Sequence, residues 1–199
     1  MMRIFILLIG FPGVGKLTIA RELQSLSSAK VIDNHWFNNP VLRLLDDDGT
    51  GHLPEGIWDY TGRIRQTVLD AIAEYTGPSA NFIFTHAGRD GDQRSLRTYQ
   101  QFDDAAQRCG AVLVPVRLLC DEDELARRIS MPARRNDLKA TDAQASRERS
   151  RRDKVFDPKH PNTLVLDVTS TPPPESAAAI WQHALKSLGN SIETAPSNV

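Results

Sequence analysis

The chain has 199 residues, 40% hydrophobic and 25% charged, and its 24 Lys+Arg against 25 Asp+Glu leave a formal net charge of -1. That length suits one domain whose core needs no disulfide or metal staple, and the balanced charge argues against a bulk nucleic-acid binder, which is normally strongly basic. The two cysteines, Cys109 and Cys120, lie beside apolar runs without the spacing of a zinc site or a disulfide framework, as fits small buried hydrophobes in a reducing cytoplasm.

The first predicted element is the apolar run Arg3–Ile9, read as a buried strand because it is far shorter than the ~20 residues that span a bilayer. No other run approaches that length, so no membrane segment is expected. Further short runs at Lys30–Asp33, Asn81–Thr85, Ala111–Leu118 and Asn162–Val168 suit parallel strands covered on both faces. Between them, helical periodicity predicts Leu17–Ser27, Ile57–Tyr75, Asp92–Arg108, Glu122–Met131, Ala143–Phe156 and Glu175–Leu188. In Ile57–Tyr75, the residues Ile57, Ile64, Val68, Ala71 and Ile72 share one face. Asp121 is placed to cap the helix after the fourth strand, with Glu124 as its capping-box partner. Thr171 and the three prolines before Glu175 read as a stop followed by a helix start. This alternation predicts an α/β fold with a five-stranded parallel sheet covered by helices on both faces. One domain over residues 1–188 is expected, followed by a small, polar, frayed tail over 189–199.

The strongest motif is Gly10-Phe11-Pro12-Gly13-Val14-Gly15-Lys16-Leu17-Thr18, between a predicted strand and a predicted helix. It matches the G-x-x-x-x-G-K phosphate loop in the context that gives the match weight. Its glycines let consecutive N–H groups turn inward on phosphate oxygens, the helix start adds its positive dipole end, and Lys16 supplies a point charge for the β- and γ-phosphates. The residue after the lysine, ordinarily Ser or Thr on Mg²⁺, is Leu17, and Thr18 follows. A leucine cannot hold a hard cation. Metal binding then falls to Thr18, to a carboxylate elsewhere or to waters; the other account is a site that binds nucleotide and turns over poorly.

These residues resemble the P-loop kinases of the nucleoside-monophosphate-kinase and shikimate/gluconate-kinase type, antibiotic phosphotransferases on the same fold included. A closer resemblance is to bacterial AAA-family ATPase or kinase-like proteins, in which an apolar residue also follows the loop lysine and a short strand ends in Asn-His. The resemblance reaches about Leu188, is specific in the loop, and implies a three-layer P-loop fold with a small helical lid at about 130–142, binding ATP with Mg²⁺.

Ligands of such sheets sit at the carboxyl ends of the strands. There stand Asp33-Asn34-His35-Trp36 and Thr85-His86-Ala87-Gly88-Arg89. By the resemblance, Asp33 supports Mg²⁺ with Thr18, and His35 occupies the place of a base carboxylate; either Asp33 or His35 activates the acceptor hydroxyl. His86 and Arg89 face the phosphoryl acceptor, Arg89 able to clamp an acidic group. Trp58, Tyr60, Arg63 and Arg65 suggest an aromatic or anionic acceptor, with Arg63 a candidate contact. From Arg127 to Lys154 ten basic residues stand against four acids. Arg147–Lys154 reads as a solvated charged helix, whereas the resemblance makes Arg134 and Arg135 lid residues that close over the transferring phosphoryl group. It also lays Arg127 against adenine and brings Ser170 and Thr171 near the adenine edge. Asp46, Asp48, Thr50 and Gly51 imitate a calcium loop, but Ile57 stands where its final glutamate belongs, so an acidic turn is expected.

The expected activity is therefore ATP-dependent phosphoryl transfer to a hydroxyl or phosphate of a small molecule, by a cytoplasmic monomer or homodimer. The alternatives are a nucleotide-binding ATPase or regulatory module without such an acceptor, motivated by Leu17, and a basic lid that contacts RNA ends, which the balanced charge disfavours.

Overall fold

The computed structural model describes residues 3–45, 53–131 and 142–193. Five strands, β1 (Arg3–Ile9), β2 (Lys30–Ile32), β3 (Phe82–His86), β4 (Ala111–Leu119) and β5 (Leu164–Asp167), form one sheet in the order β2-β3-β1-β4-β5. All four pairings are parallel, with Ile9 beside His86 and Arg117 across the two central ladders. The helices are α1 (Lys16–Ser27), α2 (His35–Leu42), α3 (Ile57–Tyr75), α4 (Gln93–Arg108), α5 (Glu122–Ile129), α6 (Ala143–Arg152) and α7 (Pro173–Glu193). The expected α/β sandwich with helices on both faces is thus the observed one.

Central β1 is buried throughout, and its side chains alternate between two cores. Ile4, Ile6 and Leu8 pack with α1, α5 and α7, while Phe5, Leu7 and Ile9 pack with α2, α3 and α4. The second core holds an aromatic cluster, Phe84 lying 4.9 Å from Phe102 and 5.4 Å from Phe5 between ring centroids. Edge strand β5 is covered on one side only: Val165 is exposed while Leu164 and Leu166 pack inward. Both cysteines are free and half-buried. None of the described helices is long and apolar enough to cross a membrane.

Four local readings are corrected. The buried face of α3 is Thr61, Arg65, Leu69 and Ile72, flanked by Ile64 and Val68, which pack on the core as expected, whereas Ala71 is exposed. Asp121 caps α5 by accepting from the N–H groups of Asp123 and Glu124, but no capping box closes. The Glu124 carboxylate is taken by Arg127 and Arg128, and the Asp121 N–H donates to Thr169 Oγ1 instead. Helix α6 stops at Arg152 because 154–156 zips onto the β3 exit: Asp90 N–H donates to Lys154 C=O and Phe156 N–H to Gly88 C=O, burying Val155 and Phe156. Finally, α7 continues to Glu193, five residues past Leu188.

Phe102 is fully buried against Phe84. Phe102→Ala should lower unfolding free energy by about 3–5 kcal/mol, the cost of an aromatic-sized cavity, read from the urea midpoint at unchanged slope.

Candidate active site

The motif of residues 10–18 forms the turn from β1 into α1, and two contacts fix where it leaves the sheet. Gly10 N–H donates to His86 C=O at 3.2 Å, extending the β1–β3 ladder by one residue. Val14, in the middle of the loop, is buried among Leu125 and Ile129 side chains of α5. Gly13 and Gly15 have φ of 95° and 102°, the left-handed region that only glycine enters without strain. At Gly13 a Cβ would also stand 2.6 Å from Ile129 Cγ1. The chain therefore curls ahead of α1, with Val14 N–H donating back to Phe11 C=O at 3.3 Å, the kind of turn that can present amides to an anion. Lys16 Nζ lies over that curl, donating to Gly10 C=O at 2.7 Å and Phe11 C=O at 3.0 Å.

Arg128, which the sequence reading passed over for Arg127, ties this loop to the far side of the site. Its guanidinium donates to Val14 C=O at 3.1 Å, Val168 C=O at 2.8 Å and Thr169 C=O at 2.9 Å, while Glu124 holds its Nε at 2.7 Å. Arg127 is exposed and forked onto the same Glu124 at 2.6 and 2.8 Å. One residue is a 100° turn of a helix; a sequence cannot tell which of two adjacent arginines faces the loop. Ser170 is exposed, and Thr171 donates to Asp167 C=O at 3.2 Å.

Asp33, at the exit of β2, is nearly buried. Its Oδ1 accepts from Thr85 Oγ1 at 3.0 Å, from the His35 N–H at 3.2 Å and from His35 Nδ1 at 2.9 Å. Burial alone would push this carboxyl up; the His35 hydrogen bonds and charge, with Thr85, more than offset it and hold it at about 2. Beyond the pair opens a cavity of about 400 Å³, whose α1 wall is Leu17, Arg21 and Gln24.

A second cavity, of about 350 Å³, opens at the loop tip, Phe11 and Pro12. Helix α2 contributes Asn38 with the preceding Asn34; α3 contributes Trp58, Thr61 and Arg65; the β3 exit contributes His86 to Arg89. Asp92 and Arg94 come from the start of α4, and Arg149 and Arg152 from α6. Arg94 lies 4.4 Å over the Trp58 ring. His86 is buried, and burial together with nearby Arg65, Lys16 and Arg94 pushes its imidazole down to about 3, so the ring is neutral. Among the described residues its Nε2 has no partner, and it packs where a Cβ on Gly88 would come within 2.9 Å.

No protein-family model matches the chain, and no curated protein matches it in sequence. Solved structures match it over almost its whole length. A thymidylate kinase from Candida albicans superposes with TM-score 0.61 at 14% identity, covering 95% of this chain and 93% of that one. A gluconokinase from Sinorhizobium meliloti 1021 gives 0.54 at 19%, covering 96% and 94%. The Mycobacterium tuberculosis APS kinase CysC, solved with AMPPNP and APS, gives 0.57 at 12%, covering 92% and 97%. The chain shares the fold of these three kinases.

On this kinase fold, the residues expected from sequence divide. The loop, Lys16, Asp33 and His35 share the carboxyl-end rim, and His86 and Arg89 line the second cavity. Arg63 does not: it is exposed, stacked 5.2 Å over Tyr60, while Arg65 two positions on is the buried arginine of the cavity. Arg149 and Arg152 also reach the cavity, although the segment 147–154 read as wholly solvated. Arg134, Arg135 and the lid segment lie outside the described residues apart from its ends, as does the acidic turn at Asp46, Asp48, Thr50 and Gly51.

The donors available for a cation do not make a protein-held Mg²⁺ site. Leu17, not Thr18, is on the wall with Asp33; Thr18 is exposed and one helical step, 100°, away. Among the described residues no three His, Cys, Asp or Glu are grouped for a metal. Asp33 is the one carboxylate there, and its Oδ1 already accepts three hydrogen bonds.

Two predictions follow from this geometry. Since Leu17 adds no donor, EDTA should change the calorimetric affinity for an ATP analogue by less than about three-fold, and Leu17→Thr should make that affinity strongly Mg²⁺-dependent. The Asp33 carboxyl is depressed from 3.8 to about 2 in the folded chain. Its hydrogen bonds therefore add stability above about pH 4 that is lost as pH falls towards 2. Asp33→Asn should cost roughly 1–2 kcal/mol at pH 6, and its urea midpoint should approach that of the unmodified chain only as pH falls through about 2.

Proposed function

We propose that the chain is an ATP-dependent phosphotransferase acting on a hydroxyl or phosphate of a small molecule. The observation that carries this reading is the opening of the Lys16 loop onto a cavity with a buried arginine, Arg65, in its wall. In this reading the loop amides of Gly13, Gly15 and Lys16, with Val14 N–H kept by Phe11 C=O, and the Lys16 ammonium hold the β- and γ-phosphates, Lys16 exchanging its loop carbonyls for phosphate oxygens. Phosphoryl transfer makes little covalent demand on the protein, and rate comes from alignment and charge neutralisation. The acceptor oxygen bonds the γ-phosphorus as the bond to the β–γ bridging oxygen breaks, ADP leaves, and a hydroxyl acceptor's proton passes to a base.

Asp33 and His35 are the candidates for that base. The pair favours His35: Nδ1 on the Asp33 carboxylate leaves Nε2 as the proton acceptor, with Asp33 fixing the tautomer, the arrangement familiar from His-Asp pairs. Asp33 itself, held at about 2, is the weaker base. Arg134 and Arg135 are assigned to closure over the transferring group, and Arg89, with His86 behind it, to the acceptor. Arg127, Ser170 and Thr171 keep the adenine side, where Arg128 supports the backbone. Mg²⁺ is carried in this reading by the nucleotide's own phosphates, and no step rests on it. Leu17 favours a second reading, a nucleotide-binding ATPase or regulatory module, in which no acceptor is consumed.

Lys16→Ala should reduce phosphoryl transfer by about 10³-fold while leaving the thermal melt in place. ATP consumption, with mass spectrometry of a panel of sugars, polyols, their phosphates, nucleosides and aminoglycosides, checks it. Hydrolysis that no acceptor stimulates would decide for the regulatory module.

A further inference from the structure

The cavity beside the loop tip carries more positive charge than its walls balance. Five arginines line it, Arg65, Arg89, Arg94, Arg149 and Arg152, with one carboxylate, Asp92. Asp92 lies 3.8 Å from Arg89 and 3.9 Å from Arg94, and Asp153, just outside, takes Arg152 at 3.1 Å and Arg89 at 3.5 Å. Among the described residues, Arg65 and Arg149 meet no carboxylate within ion-pair distance.

Arg65 is the telling case. It is 5% exposed, and among the described residues it donates through Nη1 to neutral oxygens, Thr98 Oγ1 at 3.2 Å and Gln101 Oε1 at 2.8 Å, while its Nε has no partner there. A guanidinium keeps its proton in any protein environment, so this charge is buried without an anion, an arrangement that folding by itself disfavours. Trp58, an aromatic side chain in the cavity wall that could have received a planar acceptor, lies under Arg94 instead. A neutral polyol leaves the surplus in place, and a single carboxylate offsets one charge. A phosphate monoester brings nearly two charges and the oxygen geometry that forked guanidinium groups match.

From this we infer that the cavity seats the dianionic phosphate of an already phosphorylated small molecule, with Arg65, Arg94 and Arg149 as its specificity-determining contacts. The inference rests on the phosphotransferase reading and narrows its acceptor.

Calorimetry with AMPPNP first tests the loop; AMPPNP-saturated protein is then titrated, at fixed ionic strength, with inorganic phosphate, glycerol 3-phosphate, gluconate and glucose. Both phosphates should bind at least about ten-fold more tightly than gluconate, and glucose should give no heat. Arg65→Met should weaken phosphate binding by about ten-fold or more with AMPPNP affinity unchanged, and should keep or raise the melting temperature, since it removes an unbalanced buried charge. A lower melting temperature with phosphate binding intact would make Arg65 a tether between α3 and α4 and overturn the inference. Should Arg65→Met fail to fold, Arg94→Gln combined with Arg149→Gln decides on the same titration, because both side chains are less buried. Gluconate or glucose binding as tightly as phosphate, with AMPPNP bound, overturns the acceptor class and leaves the phosphotransferase reading standing. Failure of AMPPNP to bind overturns both.

Discussion

The hydrogen bond from Gly10 N–H to His86 C=O fixes the frame of the site. It continues the β1–β3 ladder one step beyond Ile9, so the chain leaves the sheet at a set height before curling through Gly13 and Gly15. Because the strands are parallel, the exits of β2 and β3 open on the same rim, and Asp33 and His86 both stand on the β3 side of that turn. Thr85 and Asp33 then lock β3 to β2 by a side-chain hydrogen bond where the backbone ladder ends at Ile32 and Phe84. The loop, the carboxylate–imidazole pair and the arginine cavity take their mutual positions from sheet geometry, not from loop flexibility.

Charge at this rim is handled in three ways. Arg128 is half satisfied by three carbonyls and half by Glu124, which makes it a brace. Asp33 is kept ionised by donors that outweigh its burial. Arg65 is left buried among neutral partners, and His86 beside it responds by staying neutral. The first two arrangements stabilise the chain as it stands. The third costs stability, offset in part by the Phe37 ring 5.5 Å from the Arg65 guanidinium, and an incoming anion would relieve it further.

Sequence periodicity was enough for the sheet, most helices and the phosphate loop, because those rest on runs of apolar residues and on glycine spacing. It missed α2, whose eight residues carry Pro40 and too few apolar positions to show a period. It placed the face of α3 off-centre, with Ile64, Val68 and Ile72 on the core but Ala71 exposed, because the buried positions 61, 65, 69 and 72 include a threonine and an arginine. Yet Arg65 is in phase with Leu69 and Ile72, and a charged residue on an apolar phase was the available signal. No such signal separates Arg128 from Arg127. Their difference arises from where α5 lies against the loop, a tertiary fact.

The basic stretch from Arg127 to Lys154 illustrates the same limit from the side of charge. Summed along the chain it is a strongly positive run; folded, α6 divides it by face. Arg147 and Arg151, four residues apart, turn to the acidic start of α5, meeting Asp123 at 2.9 Å and Glu122 at 2.8 Å. Such exposed pairs are worth only about 0.2–1 kcal/mol each, so they add little to stability, but two of them on one stripe set the rotation of the helix. That rotation carries Arg149 and Arg152 to the opposite side, over the cavity. The acids of α5 thus neutralise one half of the run and aim the other half, and the charge left over is concentrated where the acceptor phosphate is proposed to sit.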